Sequence, residues 1–410
     1  NKMRNILFWL LFLPLFSIAI ADEGKLYGVN IHANNYKLSD DKILELIKQS
    51  GFNSFRQEFS WESLEKVKGQ YIIQNKNIIK DQVIDKASAY GIKPILILDY
   101  GNSKYDNGNY PVTENSITGF VNYARWLASR YKGKVFIYEI WNEWTLGTGM
   151  KNKKSIPDEG HYFELVKRTS MALKEIDPNI KVIAGSFNPT SGKGRILKYK
   201  DIDWFMKLVQ LGILNYIDGV SIHPYSFLNS NLKLRTPEDN YSNIVLLEKK
   251  IKETAKSDKE IPIYITEMGV SNFSGNGGVS EEVSADFIVK YTALISTLPY
   301  VKGIWWYDLV DDGDNKNDKE HNFGFYKKDL SKKKVVNEFR RLINSNSVDK
   351  MTYCNVDISQ KRVEFIVKDI DNNSRCSQLE WERIPLQQYN RLYRDFEKCD
   401  GCNKISIDRN

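Results

Sequence analysis

Two glutamates stand out because each lies where a hydrophobic, strand-like run gives way to a polar loop. Glu143 ends the run that begins at Val135, and Glu267 ends the run that begins at Pro262. Two carboxyl groups facing each other across a cleft suit glycosidic bond cleavage, because one protonates the leaving oxygen while the other attacks or stabilises the anomeric carbon. Trp141-Asn142-Glu143 alone is weak evidence, since any strand can end in a polar residue.

The elements around the two glutamates predict that they meet. Hydrophobic runs of strand length alternate with amphipathic segments of helix length, which is typical of a parallel sheet built from βα units. Eight units can be counted, so the predicted fold class is α/β, a closed (β/α)8 TIM barrel. The predicted strands are Leu26 to Ile31, Ser54 to Gln57, Pro94 to Leu98, Val135 to Trp141, Val182 to Gly185, Gly219 to His223, Ile263 to Glu267 and Gly303 to Trp306. Catalytic groups of such barrels lie at the C-terminal strand ends, which places Glu143 on strand four and Glu267 on strand seven.

Several motifs resemble those of the clan A retaining glycoside hydrolases. They are Trp141-Asn142-Glu143, Glu267 and, after strand six, His223-Pro224-Tyr225. Within the clan the chain looks most similar to glycoside hydrolase family 39 and to the Psl-type hydrolases of bacterial exopolysaccharide clusters. That likeness rests on Arg56-Gln57-Glu58 with Trp61, Asp99-Tyr100-Gly101-Asn102, Trp141-Asn142-Glu143-Trp144, and Trp305-Trp306-Tyr307-Asp308 leading into Asp311-Asp312-Gly313.

The resemblance implies specific roles for these residues. Glu143 would be the general acid and base, and Glu267 the nucleophile that forms a glycosyl-enzyme intermediate. Retention requires the two carboxyls to lie about 5 to 5.5 Å apart. Arg56 would hold Glu267 as an anion, Tyr225 would donate a hydrogen bond to it, and Asn142 would meet the sugar 2-hydroxyl.

Each supporting residue also has a simpler interpretation. Arg56 could form a buried ion pair with Glu139, and both interpretations can hold together. His223 and Tyr225 could belong to a loop that merely follows a strand. His32, at the end of strand one, reaches the sugar in one interpretation and is a structural histidine in the other.

Aromatic residues make up 12% of the chain, with nine Trp, which suits sugar stacking. Trp305 and Trp306 are adjacent, so only one can face the site. Trp61 and Trp144 lie beyond strand ends and are candidates for outer sugar subsites, with surface packing as the alternative.

No metal or cofactor is expected. Asp311, Asp312, Asp314 and Asp318 form an acidic loop, but a glycine at 313 and a lysine at 316 do not fit an EF-hand. We therefore expect a solvated loop at the barrel mouth.

Residues 1–21 read as a signal peptide, because Lys2 and Arg4 precede an apolar run from Ile6 to Ile20 and a small-residue cleavage site at Ala19-Ile20-Ala21. An uncleaved anchor is the alternative. The prediction is an exported protein, periplasmic or secreted to the cell surface, with no membrane span after cleavage.

The C-terminal region holds all four cysteines, Cys354, Cys376, Cys399 and Cys402. In an oxidising compartment they could pair with any of three connectivities, and a zinc knuckle at Cys399 and Cys402 is the alternative. The predicted domains are a barrel over residues 22–343 and a small, disulfide-tied, β-rich appendage over residues 348–410.

Charge indicates no nucleic-acid partner. The formal charge of +7 becomes about +5 without Lys2 and Arg4, and the lysine-rich runs are interspersed with acids or apolar residues. The expected partner is a polysaccharide or oligosaccharide substrate, and the expected state is a monomer.

The predicted function is a retaining endo-glycoside hydrolase acting on a bacterial surface or exported polysaccharide. One alternative is an exo-acting, xylosidase- or iduronidase-like glycosidase, and another is a non-catalytic polysaccharide-binding or assembly protein. An open groove would favour endo action and a blind pocket exo action.

Overall fold

A closed barrel of eight parallel strands forms the centre of the computed structural model, which describes residues 24–151, 155–191 and 200–344 and five short strands between 351 and 385. The strands follow one another around the barrel in sequence order, and β8 pairs with β1. They are β1 Leu26–Asn30, β2 Ser54–Glu58, β3 Lys93–Leu98, β4 Ile137–Ile140, β5 Lys181–Phe187, β6 Gly219–Ile222, β7 Ile263–Met268 and β8 Val301–Trp306. The predicted (β/α)8 barrel is confirmed.

Helices surround the strands and bury their apolar faces against them. Several begin at a capping side chain that accepts a backbone N–H: Ser39 caps α1, Thr113 caps α4 in a capping box with Ser116, and Thr236 caps α7. The helices are α1 Asp40–Gln49, α2 Trp61–Leu64, α3 Ile78–Lys86, α4 Glu114–Arg130, α5 Glu159–Ile176, α6 Asp201–Leu211, α7 Pro237–Ala255, α8 Glu281–Ser296 and α9 Lys334–Asn344.

The barrel interior changes from apolar to polar along the strands. Its lower layer is a separate buried cluster of apolar side chains, namely Leu26, Ile95, Ile137, Ile183, Tyr264 and Trp305. Side chains alternate along a strand, so two residues further on the same inward faces carry Glu139 on β4 and Thr266 on β7. The polar layer therefore lies toward the C-terminal strand ends.

Gly28 on β1 makes room for the indole that fills the lower layer. A Cβ atom at this position would lie 2.1 Å from Cδ1 of Trp305, closer than any non-bonded contact. We expect Gly28→Ala to lower the free energy of unfolding by about 1 to 3 kcal/mol, the usual cost of overpacking, as measured by urea denaturation. Gly24→Ala, where the added methyl meets nothing within 4 Å, is the matched control. Equal stability of the two variants would contradict this packing.

Beyond the barrel only short strands are described. Met351–Tyr353, Phe365–Lys368 and Cys376–Gln378 form an antiparallel sheet, and Arg362–Val363 pairs with Ile384–Pro385. The predicted signal peptide, Cys354, Cys399, Cys402 and the side chain of Cys376 lie outside the described residues. The disulfide, zinc-knuckle and domain-boundary expectations therefore stay predictions. Among the described helices, none is long and apolar enough to cross a membrane.

Candidate active site

A cavity of about 1120 Å³ opens at the C-terminal ends of the strands. Most of the site residues predicted from the sequence line it: His32, Arg56, Asn142, Glu143, His223, Tyr225 and Glu267. These residues come from strands one, two, four, six and seven or from the loops that follow them. The barrel therefore brings distant parts of the chain to one cavity, as its topology requires.

The two glutamates lie side by side in this cavity. One carboxylate oxygen of Glu143, one of Glu267 and a ring nitrogen of His223 all lie within 4.8 Å of one another. An oxygen-to-oxygen distance of at most 4.8 Å is compatible with the spacing of about 5 to 5.5 Å between two carboxyls when one of them attacks the sugar directly.

A strained turn presents Glu143 to the cavity. Trp141 and Glu143 have φ values of 68° and 50°, in the left-handed region that is unfavourable for residues with a side chain. Ser186 on β5 holds this turn, because its Oγ accepts the Glu143 N–H at 3.0 Å and donates to the Trp141 carbonyl at 3.1 Å. Thr148 then donates to Oε2 of Glu143 at 2.6 Å.

Glu267 receives two hydrogen bonds, one on each carboxyl oxygen. Arg56 Nη1 donates to Oε1 at 2.6 Å, and the Tyr225 hydroxyl donates to Oε2 at 2.9 Å. These two contacts fix the orientation of the Glu267 carboxyl group at the cavity.

Arg56 is buried and joins the site to the polar layer beneath it. Its Nε donates to Oε2 of Glu139 at 2.6 Å, and its Nη2 donates to Oδ1 of Asn142 at 3.0 Å. Burial lowers the pKa of Arg56, but the charges of Glu139 and Glu267 outweigh burial and raise it. The ion pair with Glu139 and the contact with Glu267 thus occur together.

His223 links Glu143 to Thr266 and Glu139 through hydrogen bonds. These bonds determine which of its ring nitrogens carry protons. The Thr266 hydroxyl donates to Glu139 at 2.8 Å, so its oxygen is left to accept from Nε2 of His223 at 3.0 Å. Nε2 therefore carries a proton. A hydrogen bond across the 3.0 Å between Nδ1 and Oε1 of Glu143 then requires a second proton, on one of those two atoms. Glu143 and His223 therefore share a single proton.

The electrostatics of this pair place the shared proton on the imidazole in the free protein. Burial raises the pKa of Glu143, but the hydrogen bond and charge of His223, with Thr148 and Arg56, outweigh burial and lower it. Burial lowers the pKa of His223, but the charge of Glu267 and the contact with Glu143 outweigh burial and raise it. Each partner thus stabilises the charged form of the other.

The four tryptophans proposed for sugar contacts lie elsewhere. Trp61, Trp144, Trp305 and Trp306 are all fully buried, and none lines the cavity. Their indole N–H groups donate, in that order, to Glu65, the Pro157 carbonyl, Ser54 and Thr292. The outer-subsite expectation for Trp61 and Trp144 is wrong because these large apolar rings gain more from packing in the helix layer. Trp305 does face the barrel interior, but below the cavity floor.

The acidic loop after β8 also differs from the expectation of a solvated loop. Asp311 is buried and forms an ion pair with Lys333 at 2.7 Å, whereas Asp314 is exposed as expected. His32 lines the cavity, and its Nε2 lies 3.1 Å from the Tyr307 hydroxyl. The loop is folded against the barrel because Lys333 supplies a buried counter-charge.

Sequence reasoning missed several residues that shape the site. Asn30 and Thr266 lie on inward faces of predicted strands, so strand alternation could have identified them. Ser186 and Thr148 act through a turn whose backbone conformation has no sequence signature in this chain. Tyr100 was named only as part of a sequence motif, without a role of its own. Its hydroxyl accepts a hydrogen bond from Nδ2 of Asn142 at 2.9 Å.

Comparison with known proteins gives a consistent result. The model of the cellulase family, glycosyl hydrolase family 5, matches residues 18–306. A family 39 glycoside hydrolase from Bacteroides cellulosilyticus is similar in structure with a TM-score of 0.67 at 23% identity, over 84% of this chain and 68% of its own. GH5_18 from Streptomyces cattleya, solved with GlcNAc, has a TM-score of 0.62 at 14% identity, over 78% and 80% of the two chains. An endo-β-1,4-mannanase from Thermotoga petrophila has a TM-score of 0.54 at 18% identity, over 86% and 85%.

Proposed function

Given that this chain belongs to the cellulase family, glycosyl hydrolase family 5, we propose that it is an exported endo-glycosidase that cleaves a bacterial surface or exported polysaccharide by double displacement. The resemblance to clan A retaining glycoside hydrolases is confirmed. The family whose model matches is family 5, and family 39 is represented by a structure of similar fold.

The observation that carries the proposal is the close approach of two carboxylates with different partners. In the first step, the Glu267 carboxylate bonds to the anomeric carbon as the bond to the leaving oxygen breaks, and Glu143 gives that oxygen its proton. In the second step, Glu143 takes a proton from water, whose oxygen bonds to the anomeric carbon and releases Glu267. Arg56 and Tyr225 orient Glu267 for the attack through their hydrogen bonds.

The proton shared by Glu143 and His223 supplies the general acid. When it lies on Glu143, the side chain can protonate the leaving oxygen, and when it lies on His223, it is one short transfer away. The pair releases the shared proton at a macroscopic pKa that is higher than the microscopic pKa of either member. The pair thus keeps an acid available to higher pH than an isolated glutamate would.

His223→Asn is expected to move the basic limb of the kcat/KM–pH profile to lower pH. An asparagine can still contact Glu143 but cannot store the proton, so activity then falls with the pKa of Glu143 alone. Losing a charge partner of this kind typically shifts a limb by about one pH unit or more. The measurement is kcat/KM against pH on an activated aryl glycoside.

Thr148→Val is the matched control for that profile. It removes the other hydrogen bond that stabilises ionised Glu143 but leaves the shared proton in place. The basic limb should therefore stay or move to higher pH, opposite to the histidine variant. A basic limb that is unchanged or higher in His223→Asn would contradict the shared-proton account.

Endo action is proposed from the size of the cavity. Its volume of about 1120 Å³ is just above the usual range of small-molecule sites, which is about 300 to 1,000 Å³. The residues lining it extend from Glu58 at the end of strand two to Lys319 and Glu320 after strand eight. That extent suits several sugar units better than one.

The test is incubation of the purified protein with a panel of capsular and exported polysaccharides, followed by mass analysis of the products. Endo action predicts oligosaccharides of several lengths together with an early fall in viscosity. Monosaccharides released without a viscosity change would support the exo alternative instead. No product from any polymer or aryl glycoside would contradict a hydrolase.

A further inference from the structure

A second cluster of charged side chains lies at the edge of the cavity, separate from the glutamate pair. His32 follows β1, and Asp308 and Asp312 follow β8. Nε2 of His32 lies 3.7 Å from Oδ2 of Asp308 and 4.0 Å from Oδ2 of Asp312. One potential ligand atom from each of the three lies within 4.8 Å of the other two.

Asp308 has no hydrogen-bond donor among the described residues. Its side chain is 1% exposed, and neither of its carboxylate oxygens accepts a hydrogen bond; Oδ1 of Asp312 is buried and equally unpartnered. An ionised carboxylate buried without a donor costs several kcal/mol. Either a proton or a bound cation must therefore offset this buried charge.

The nearest buried lysine is already engaged. Nζ of Lys333 donates to Oδ1 of Asp311 at 2.7 Å, to Asn272 at 3.1 Å and to the Asn322 carbonyl at 3.1 Å. Those contacts use its three donors. Lys333 thus compensates Asp311 and leaves Asp308 and Asp312 without a hydrogen-bonded cation.

We propose that His32, Asp308 and Asp312 bind one divalent transition-metal ion, of the Zn²⁺ or Mn²⁺ type, beside the substrate cavity. An imidazole nitrogen with two carboxylates is a ligand set for such ions, whereas Ca²⁺ and Mg²⁺ prefer oxygen ligands alone. Metal bonds of about 2.0 to 2.2 Å place tetrahedral ligand atoms about 3.4 Å apart. The distances of 3.7 and 4.0 Å are a few tenths of an ångström longer.

A small movement of His32 would shorten its distances to both carboxylates. Its side chain is 30% exposed, and its Nε2 would exchange the contact with the Tyr307 hydroxyl for the ion. Because His32 and Tyr307 both line the cavity, the ion would fix the wall formed by the ends of β1 and β8. Its role is structural, since the chemistry of the glutamate pair needs no metal.

A proton shared between Asp308 and Asp312 is the competing way to relieve the same buried charge. This shared-proton explanation predicts that the three residues bind no metal ion, so a binding measurement distinguishes it from the metal site. The glutamate site is a second possible source of binding, because Glu143, His223 and Glu267 also lie close enough together to hold an ion. The test must distinguish that site as well.

The experiment is calorimetric titration of ZnCl₂ and MnCl₂ into the chelator-treated full chain, prepared without a histidine tag. We expect one Mn²⁺ ion per chain in the wild type, because the cysteines of the alternative zinc knuckle favour Zn²⁺ over Mn²⁺. Asp308→Asn and His32→Gln should weaken binding at least tenfold, whereas His223→Asn and the exposed-loop control Asp314→Asn should retain it. If Asp308→Asn does not fold, His32→Gln still tests whether these residues bind the ion.

Three results would overturn the proposal. They are no binding of Zn²⁺ or Mn²⁺ to the wild type, binding that is unchanged in His32→Gln and Asp308→Asn, and binding that disappears in His223→Asn but not in His32→Gln. A rise in melting temperature on adding the ion, seen in the wild type and lost in His32→Gln, is the supporting second measurement.

Discussion

Replacing Glu267 by Gln is expected to abolish turnover while leaving the barrel folded. A glutamine has nearly the same shape, and its oxygen can still accept from Arg56, which keeps its second partner Glu139. An amide does not form the glycosyl ester, so kcat/KM should fall at least about ten-thousand-fold, as for other lost nucleophiles. The measurement pairs kinetics on an activated aryl glycoside with a melting curve.

Glu58→Gln is the matched control, because Glu58 also lines the cavity but is not one of the close carboxylate pair. Its activity should exceed that of Glu267→Gln by orders of magnitude. If Glu267→Gln kept a tenth of wild-type activity, the nucleophile would have to be another group.

Replacing Glu143 by Ala is expected to separate the two catalytic steps. An activated aryl group leaves with little help from an acid, but hydrolysis of the intermediate still needs a base, so kcat should fall by about 10²- to 10⁴-fold. The alanine also leaves space beside His223 that a small anion can enter. Azide should therefore raise the rate at least about tenfold and yield a glycosyl azide with the configuration of the substrate.

The rescue depends on an intermediate formed on Glu267, so the double variant Glu143→Ala with Glu267→Gln should show none. Wild type should also be insensitive to azide, since Glu143 already activates water. Failure of azide to rescue Glu143→Ala, with the protein folded, would count against Glu143 as the acid and base.

Sequence alone was sufficient for the barrel and the central geometry. Eight hydrophobic runs alternating with amphipathic segments predict the topology, and a parallel barrel places all C-terminal strand ends on one face. Glu143, Glu267 and Arg56 could therefore be placed together without coordinates. The pairing of Arg56 with both Glu139 and Glu267 follows from the same argument, because buried charges need partners.

The remaining features depend on tertiary detail that no local pattern carries. Whether Trp61 or Trp144 faces sugar or helix is decided by packing against Tyr105 and Tyr110, which are distant in the sequence. The shared proton depends on Thr266, whose single hydroxyl hydrogen is already donated to Glu139. The buried charge of Asp308 is visible only once His32 and Lys333 are placed around it.

The most direct test of the central claim is trapping of the covalent intermediate with activated 2-deoxy-2-fluoro glycosides, followed by mass analysis of proteolytic peptides. The account predicts one sugar per chain on the segment Ile263–Met268, attached at Glu267, and no labelling of Glu267→Gln. A label on Glu139 or Glu58, or turnover that yields a product of inverted configuration, would contradict it.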